Sequence, residues 1–194
     1  MSDIIDVLIL NDAQKILVDH STQATQATQP KQSQPSTSSS NSSSRCIPLK
    51  NGGRSYVYLL APWKNVAQTG SASVQEAGFE LQITVKVGDV MRYRIRNLAL
   101  RRDFEAFIEQ LTIASGMQCL TVPVPQRRPS GSTTLDASVA TLDQVKPIPI
   151  VDSCWETTMT QSGMAALNLQ FGIYDDKATH RGSFSFNPWI TVRP

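Results

Sequence analysis

Arginine occupies every second position in one short segment of the chain, where residues 90–96 read VMRYRIR. The side chains are Arg92, Arg94 and Arg96, and guanidinium groups bind carboxylates and phosphates through paired hydrogen bonds. A period of two places all three on one face of a β-strand. The segment therefore predicts a charged surface that is solvated, contacts another subunit or binds an anion, and we favour the first two. At a subunit interface its expected partners are Glu76, Glu80, Glu105 and Glu109.

Tryptophan is the second residue type that indicates a binding surface, because its ring offers a large amphipathic face to a sugar or another ligand. Trp155 and Trp189 lie within strand-like segments, and we expect them in the core. Trp63, in the segment APWKN at the end of a strand-like run, is the one expected at the surface. A carbohydrate- or anion-binding site would therefore combine Trp63 with the arginines.

Catalysis and metal binding have few suitable residues. The chain has 2 histidines, His20 and His180, so a histidine metal site or a Ser-His-Asp arrangement lacks partners. The sequence contains no G-x-S-x-G, P-loop, G-x-G-x-x-G or C-x-x-C motif, the local signatures of serine hydrolases, nucleotide binding and thiol redox chemistry. We therefore expect no enzymatic activity, no metal and no cofactor.

Composition and charge restrict the compartment and the partners. Cys46, Cys119 and Cys154 are odd in number and far apart, which predicts reduced, buried thiols rather than disulfides. The net charge of +2 is too small to indicate nucleic-acid binding. No apolar run approaches the ~18 residues of a membrane span, and the acidic N-terminal segment does not resemble an export signal. These features predict a cytoplasmic protein without nucleic-acid or membrane partners.

Short β-like runs, broken by Gly, Pro, Asn and Asp, follow one another along the chain and number about nine. They predict an all-β, antiparallel two-sheet β-sandwich that forms a single domain over residues 1–194. Helical periodicity is weak except at 103–111, where one short helix would fit. A Ser/Thr/Gln-rich tract at 21–44 predicts a flexible insertion. Arg127 and Arg128 lie in a Pro-rich stretch that reads as a loop.

The alternation of apolar residues also predicts where the arginines point. The odd-numbered apolar residues from 79 to 87 share one face, as do those at 91, 93 and 95, so both sets should face the core. A tight two-residue hairpin would pair Val87 with Val90 and bury the arginines. Either the loop holds three residues, or the chain crosses from one sheet to the other at Gly88-Asp89. In both cases Lys86 and the arginines face outward.

Three segments resemble the PixA/AidA family of bacterial inclusion-body proteins: SDIIDVLILNDAQKI at the start, KVGDVMRYRIR at 86–96, and GSFSFNPWITVRP at 182–194. The resemblance implies a β-sandwich-like protein made in the bacterial cytoplasm. In some members it implies accumulation as inclusions, and in others production under quorum-sensing control and a link to host interaction. No catalytic residues come with the resemblance. The name-giving member is rich in methionine, whereas this chain has 5 Met, which argues against a storage role.

The predicted function is therefore that of a non-enzymatic inclusion-body-type protein that self-associates through its β-sandwich, with links to quorum sensing and host interaction. The alternative is a lectin-like module that binds a carbohydrate or an anion. The residues assigned to the ligand or to the self-interface are Arg92, Arg94, Arg96 and Trp63.

Overall fold

The computed structural model describes residues 2–21, 46–66, 83–98, 103–135 and 145–193. Apart from Ser21, the predicted insertion at 21–44 lies outside the described residues. The strands are β1 (Ile4–Asn11), β2 (Ile47–Pro48), β3 (Val57–Leu60), β4 (Ile83–Lys86), β5 (Val90–Asn97), β6 (Phe104–Ser115), β7 (Val124–Leu135), β8 (Val145–Thr158), β9 (Gly163–Asp175), β10 (His180–Phe186) and β11 (Trp189–Arg193). The helix is α1 (Ala13–Asp19), and short 3-10 turns lie at Lys50–Gly53, Trp63–Asn65 and Met117–Cys119.

These strands form two sheets, as the sequence predicts. The first sheet has the order β3-β1-β5-β8-β7, and the second has the order β2-β10-β9-β11-β4, with β6 also paired to β9. The prediction of an all-β, two-sheet sandwich is confirmed, but the sheets are mixed rather than purely antiparallel. The parallel pairs are β1 with β5, β2 with β10, and β4 with β11. The strands of each parallel pair lie far apart in the sequence. The alternation of apolar residues within one strand does not show which strand lies beside it or in which direction that neighbour runs.

The chain crosses between the sheets at Gly88-Asp89, which is the second of the two predicted alternatives. β4 belongs to the second sheet and β5 to the first. Gly88 has a φ of 92°, a conformation that side chains with a Cβ rarely adopt. The Asp89 carboxylate accepts hydrogen bonds from the backbone N–H groups of Asp3 and Lys86, each at 2.9 Å. This buried carboxylate fixes the crossing to the start of β1.

Period-two alternation correctly identifies the core residues around this crossing. Met91, Tyr93 and Ile95 are buried on β5, and Ile83 and Val85 are buried on β4. The same prediction is wrong for the next odd position, Val87, which is 47% exposed because β4 ends one residue earlier. The remaining two apolar residues of that segment, at 79 and 81, lie outside the described residues.

The one α-helix of the described residues is not where the periodicity placed it. Residues 104–115 form the strand β6, which pairs with β9 and has a bulge between Ile108 and Gln110. The bulge changes the inward-facing positions from even to odd numbers, so that Ala106 before it and Leu111 after it are both buried. The apolar residues Phe104, Phe107, Ile108 and Leu111 have helical spacing, although Phe107 is 49% exposed on the strand. The helix is α1 instead. Its N-terminus is capped by the Asp12 carboxylate, which accepts from the Lys15 N–H at 3.0 Å.

Candidate functional site

The arginine stripe, Arg92, Arg94 and Arg96, lies on β5 between β1 and β8 and points away from the core. Arg92 Nε donates to Glu156 Oε1 at 2.7 Å. Arg94 makes a bidentate contact with Asp152, from Nε to Oδ1 at 2.9 Å and from Nη2 to Oδ2 at 2.6 Å. Its Nη1 also donates to Asp6 on β1. Arg94 therefore joins three neighbouring strands, because Asp6 lies on β1 and Asp152 on β8.

These ion pairs shift the titration of the groups that make them. The hydrogen bond from Arg94 lowers the pKa of Asp152, and its positive charge lowers it further. The carboxylates raise the pKa of Arg94, and the hydrogen bond that Arg94 donates to Asp152 is the largest cause. Arg94 is therefore neutralised by two carboxylates, and a further anion would have to compete with them.

The sequence interpretation did not identify Asp6, Asp152 and Glu156 as the partners. Asp152 and Glu156 are both even-numbered, so they lie on the same face of β8, next to the arginines of β5. The sequence shows this spacing, but it does not show that β8 is the neighbour of β5. The pairing of the stripe with Glu105 and Glu109 across a subunit interface stays a prediction. The two other glutamates proposed for that interface, at 76 and 80, lie outside the described residues.

The predicted positions of the tryptophans are correct for Trp63 and Trp155 and wrong for Trp189. Trp63 is 53% exposed on its 3-10 turn, as expected, and Trp155 packs against the core, with its indole N–H donating to Ile108 O at 3.3 Å. The core prediction is wrong for Trp189, which is 54% exposed. On β11 the inward positions belong to Ile190 and Val192, so Trp189 has the opposite parity.

The first sheet forks where β8 leaves β5. β8 pairs with β5 from Val90↔Thr158 to Tyr93↔Trp155, but it pairs with β7 as far as Leu135↔Val145. Residues 126–135 and 145–154 therefore form a two-stranded extension, which we call the β7–β8 arm. Arg127 and Arg128 lie on its strand β7, so the loop prediction is wrong there. The prolines of this stretch suggested a loop.

A cavity of 420 Å³ lies at this fork, and we call it the fork cavity. The end of β5, the middle of β6 and the base of the arm line it together. Its walls combine guanidinium groups with aromatic rings, and the principal side chains are Arg94, Arg96, Phe107, Glu109, Arg127 and Trp155. Sequence reasoning identified Arg94 and Arg96 but could not bring them to β6 and β7, because that requires the topology.

A serine, a histidine and a carboxylate meet on β10 and β6, although they do not form a catalytic triad. His180 Nε2 lies 3.0 Å from Ser183 Oγ and 3.6 Å from Glu109 Oε1, so both oxygens approach the same ring nitrogen. A relay needs the two oxygens on opposite nitrogens. Ser183 is also only 4% exposed. The cluster is better described as a contact that supports the bulge at the start of β10.

The cysteines are all free, and Cys119 and Cys154 are buried while Cys46 is half-buried. Burial raises the pKa of the Cys46 and Cys154 thiols, which favours the protonated form.

In the parts of the chain that the structure describes, no three His, Cys, Asp or Glu side chains group to hold a metal ion. Nor is any helix in those parts long and apolar enough to span a membrane.

The fold and the site define an all-β sandwich of two mixed sheets with an ion-paired arginine strand and a projecting arm. The family model for PixA, described as an inclusion body protein, matches residues 3–192. The chain belongs to this family, and the resemblance inferred from its three segments is confirmed.

A solved structure shows the same fold. The inclusion body protein PixA from Burkholderia cenocepacia J2315 is similar over 99% of this chain and 97% of its own, with a TM-score of 0.66 and 18% identity, and so shows the fold. The cysteine protease inhibitor EhICP2 from Entamoeba histolytica covers 59% of this chain and 86% of its own, at 10% identity and a TM-score of 0.27. That similarity is too low to carry an argument. No curated protein matches the chain.

Proposed function

We propose that this protein is a non-enzymatic, inclusion-body-type protein of the bacterial cytoplasm that self-associates through its β-sandwich. Membership of a family described as inclusion body proteins supports the proposal, because accumulation in such bodies requires contacts between copies. The three free cysteines agree with a reducing compartment. Quorum-sensing control and a part in host interaction stay predictions from the family resemblance.

The observation that carries self-association is the exposed inner face of the β7–β8 arm. This face continues the side on which Trp155 packs against the core, and it consists of Arg127, Pro129, Pro147, Pro149, Val151 and Ser153. Beyond Trp155 these residues are exposed, and Val151 is 68% exposed. An isolated two-stranded ribbon is marginally stable in water, so an apolar face on one favours a covering partner.

The open strand edges of the arm are poorly suited to contact with a partner. Two hydrogen bonds show which way the backbone groups of β8 point. Met159 N–H donates to Asp89 O, next to β5, and Thr158 O accepts from Thr121 N–H, next to β7. The backbone groups of odd-numbered β8 residues therefore face β5, and those of even-numbered residues face β7. Pro147 and Pro149 are therefore on the open edge of β8. By the same alternation, Pro125 and Pro129 are on the outer edge of β7. Each proline removes a donor from an open edge, which opposes strand addition.

A second copy is the occupant that fits these features best. A two-fold dimer brings the same patch of both copies together, and an apolar face without acidic residues is compatible with itself. The contact is then face to face between arms, since the prolines hinder pairing between edges. Arg127 and Ser153 would lie at the rim of such an interface, where polar side chains remain hydrated.

Substitution of Val151 tests this interface, with Val18 as a matched control. Val151 is 68% exposed on the arm, and Val18 is 67% exposed on α1. We expect Val151→Gln to raise the dissociation constant of self-association by about tenfold or more, because a two-fold interface loses the buried valine twice. Val18→Gln should leave it unchanged. Light scattering after size exclusion measures both, and equal effects of the two substitutions would exclude the arm as the interface.

The alternative, a carbohydrate- or anion-binding module, is weakened for two of its arginines. Arg92 and Arg94 are already paired with carboxylates. What supports it is the exposed ring of Trp63 and the fork cavity, which Arg96 lines. A glycan panel tests the tryptophan: a saturable signal that Trp63→Ala abolishes would establish a sugar site there, and no saturable signal would remove it.

A further inference from the structure

The fork cavity has the size and the apolar walls of a small-molecule site. Its 420 Å³ lies within the ~300–1,000 Å³ of ligand pockets. Phe107, Ile108, Pro125 and Trp155 provide apolar and aromatic surface. The hydrogen bond from the Trp155 indole N–H to Ile108 O holds that ring in place at 3.3 Å. The cavity is therefore bounded on one side by a fixed aromatic plane.

The cations of the cavity differ in how far they are already neutralised. Arg94 is paired with Asp6 and Asp152. Arg96 and Arg127 are exposed, and among the described residues neither donates a hydrogen bond to a carboxylate, although the charge of Arg96 contributes to the lowered pKa of Asp152. They project from different strands, β5 and β7, and both line the same cavity. Two arginines that form no ion pair with a carboxylate among the described residues therefore line one space.

The backbone of β5 places Arg96 over the fork. Val90 N–H donates to Asp3 O, and Leu98 N–H donates to Asn11 O, so the backbone groups of even-numbered β5 residues face β1. Because backbone groups alternate along a strand, the N–H and C=O of Ile95 face the side away from β1. The ladder with β8 ends at Tyr93, before it reaches Ile95. Arg96 Nη1 donates to Ile95 O at 2.9 Å, which draws the guanidinium to this open side of the strand. Its remaining N–H groups are available to a ligand.

The acidic and thiol groups of the cavity do not oppose an anion strongly. The Glu109 side chain lies against Gly172 on the face of the second sheet, and its Oε1 accepts from the Tyr174 hydroxyl at 3.3 Å. The carboxylate is thus directed toward β9 and its partners. Burial raises the pKa of the Cys154 thiol and favours its neutral form. The neutral donors Gln126 and Ser153 complete the lining.

We propose that the fork cavity binds a small organic anion, a carboxylate or a phosphate ester carried on a flat apolar group. Arg96 and Arg127 hold the anionic end, and Trp155 packs against the apolar part. This site goes beyond the proposed self-association and does not depend on it, because its donors and its aromatic wall come from one chain. Arginine suits this role because its planar guanidinium donates in pairs to carboxylate and phosphate oxygens.

Nuclear magnetic resonance of the indole N–H groups tests the site directly. Trp155 lines the cavity, whereas Trp63 and Trp189 are exposed elsewhere and serve as internal controls. The full chain is titrated with benzoate, with phenyl phosphate and with the neutral analogue benzamide. We expect a saturable shift of the Trp155 resonance with one or both anions, at millimolar affinity, and at least about tenfold weaker binding of benzamide. The stronger of the two anions identifies the preferred head group.

Substitution of the two arginines assigns the recognition. Arg96→Ala combined with Arg127→Ala should weaken binding by about tenfold or more. The exposed Arg193 is the control, and Arg193→Ala should leave the affinity unchanged. Unshifted Trp63 and Trp189 resonances in the double variant confirm that it folds. The proposal is overturned if neither anion shifts Trp155 saturably, if benzamide binds equally well, or if the double variant binds like the parent.

Discussion

At the scale of residues, the arginine stripe combines two ion-paired side chains, Arg92 and Arg94, with Arg96, which forms no ion pair among the described residues. Arg94 joins β1, β5 and β8 through Asp6 and Asp152, whereas Arg96 bonds only to a carbonyl of its own strand in the described contacts. We expect Arg94→Ala to lower the free energy of unfolding by about 1–3 kcal/mol, because two carboxylates lose their donor. Arg96→Ala should cost less than about 0.5 kcal/mol. Urea denaturation measures both, and equal losses would contradict the distinction.

The pH dependence of stability should report the Asp152–Arg94 pair. The pKa of Asp152 is lower in the folded protein than its ordinary value of 3.8. The unfolded chain therefore takes up the proton first, and the contribution to stability is present above about pH 4 and lost as pH falls through the folded pKa. Asp152→Asn should be less stable at neutral pH but should lose less stability on acidification. An acid slope equal to that of the parent would argue against this assignment.

At the scale of elements, the crossing between β4 and β5 depends on one glycine. Gly88 has a φ of 92°, and an added Cβ there would meet no atom within 4 Å, so backbone strain alone decides its substitution. We expect Gly88→Ala to lower the free energy of unfolding by about 1–2 kcal/mol. Gly131 also has open space but lacks the positive φ, so Gly131→Ala should be neutral or slightly stabilising. Thermal and urea unfolding of the two variants separate the effects, and a neutral Gly88→Ala would contradict them.

The same scale shows how far the sequence predicts the fold. On β5 the alternation is uninterrupted, and both the buried residues and the outward arginines follow from it. On β6 the parity changes at the bulge between Ile108 and Gln110, and the apolar residues around it fall at helical spacing. On β7 the prolines lie at edge positions, where a strand tolerates them, yet they read as a loop. The fork cavity and the arm could not be predicted, because both depend on where β8 separates from β5.

At the scale of the whole molecule, the arginine stripe and the inner face of the arm lie on opposite sides of the first sheet. The stripe and its carboxylates lie on the outward side, where their charges are largely satisfied within the chain. The inner side is covered by the second sheet until the arm extends beyond it, and there apolar residues become exposed. The arm, rather than the stripe, is therefore the surface that gains most from a second copy.

The salt dependence of self-association distinguishes the apolar arm from the arginine stripe in a single experiment on the unmodified protein. The measurement is light scattering after size exclusion, over a hundredfold range of protein concentration, at low and at high ionic strength. Association through the apolar arm predicts a mass that rises above the monomer with concentration and persists at high salt, because burial of apolar surface is not screened. A chain that stays monomeric at every concentration, or an oligomer that dissociates at high salt, would contradict association through the arm.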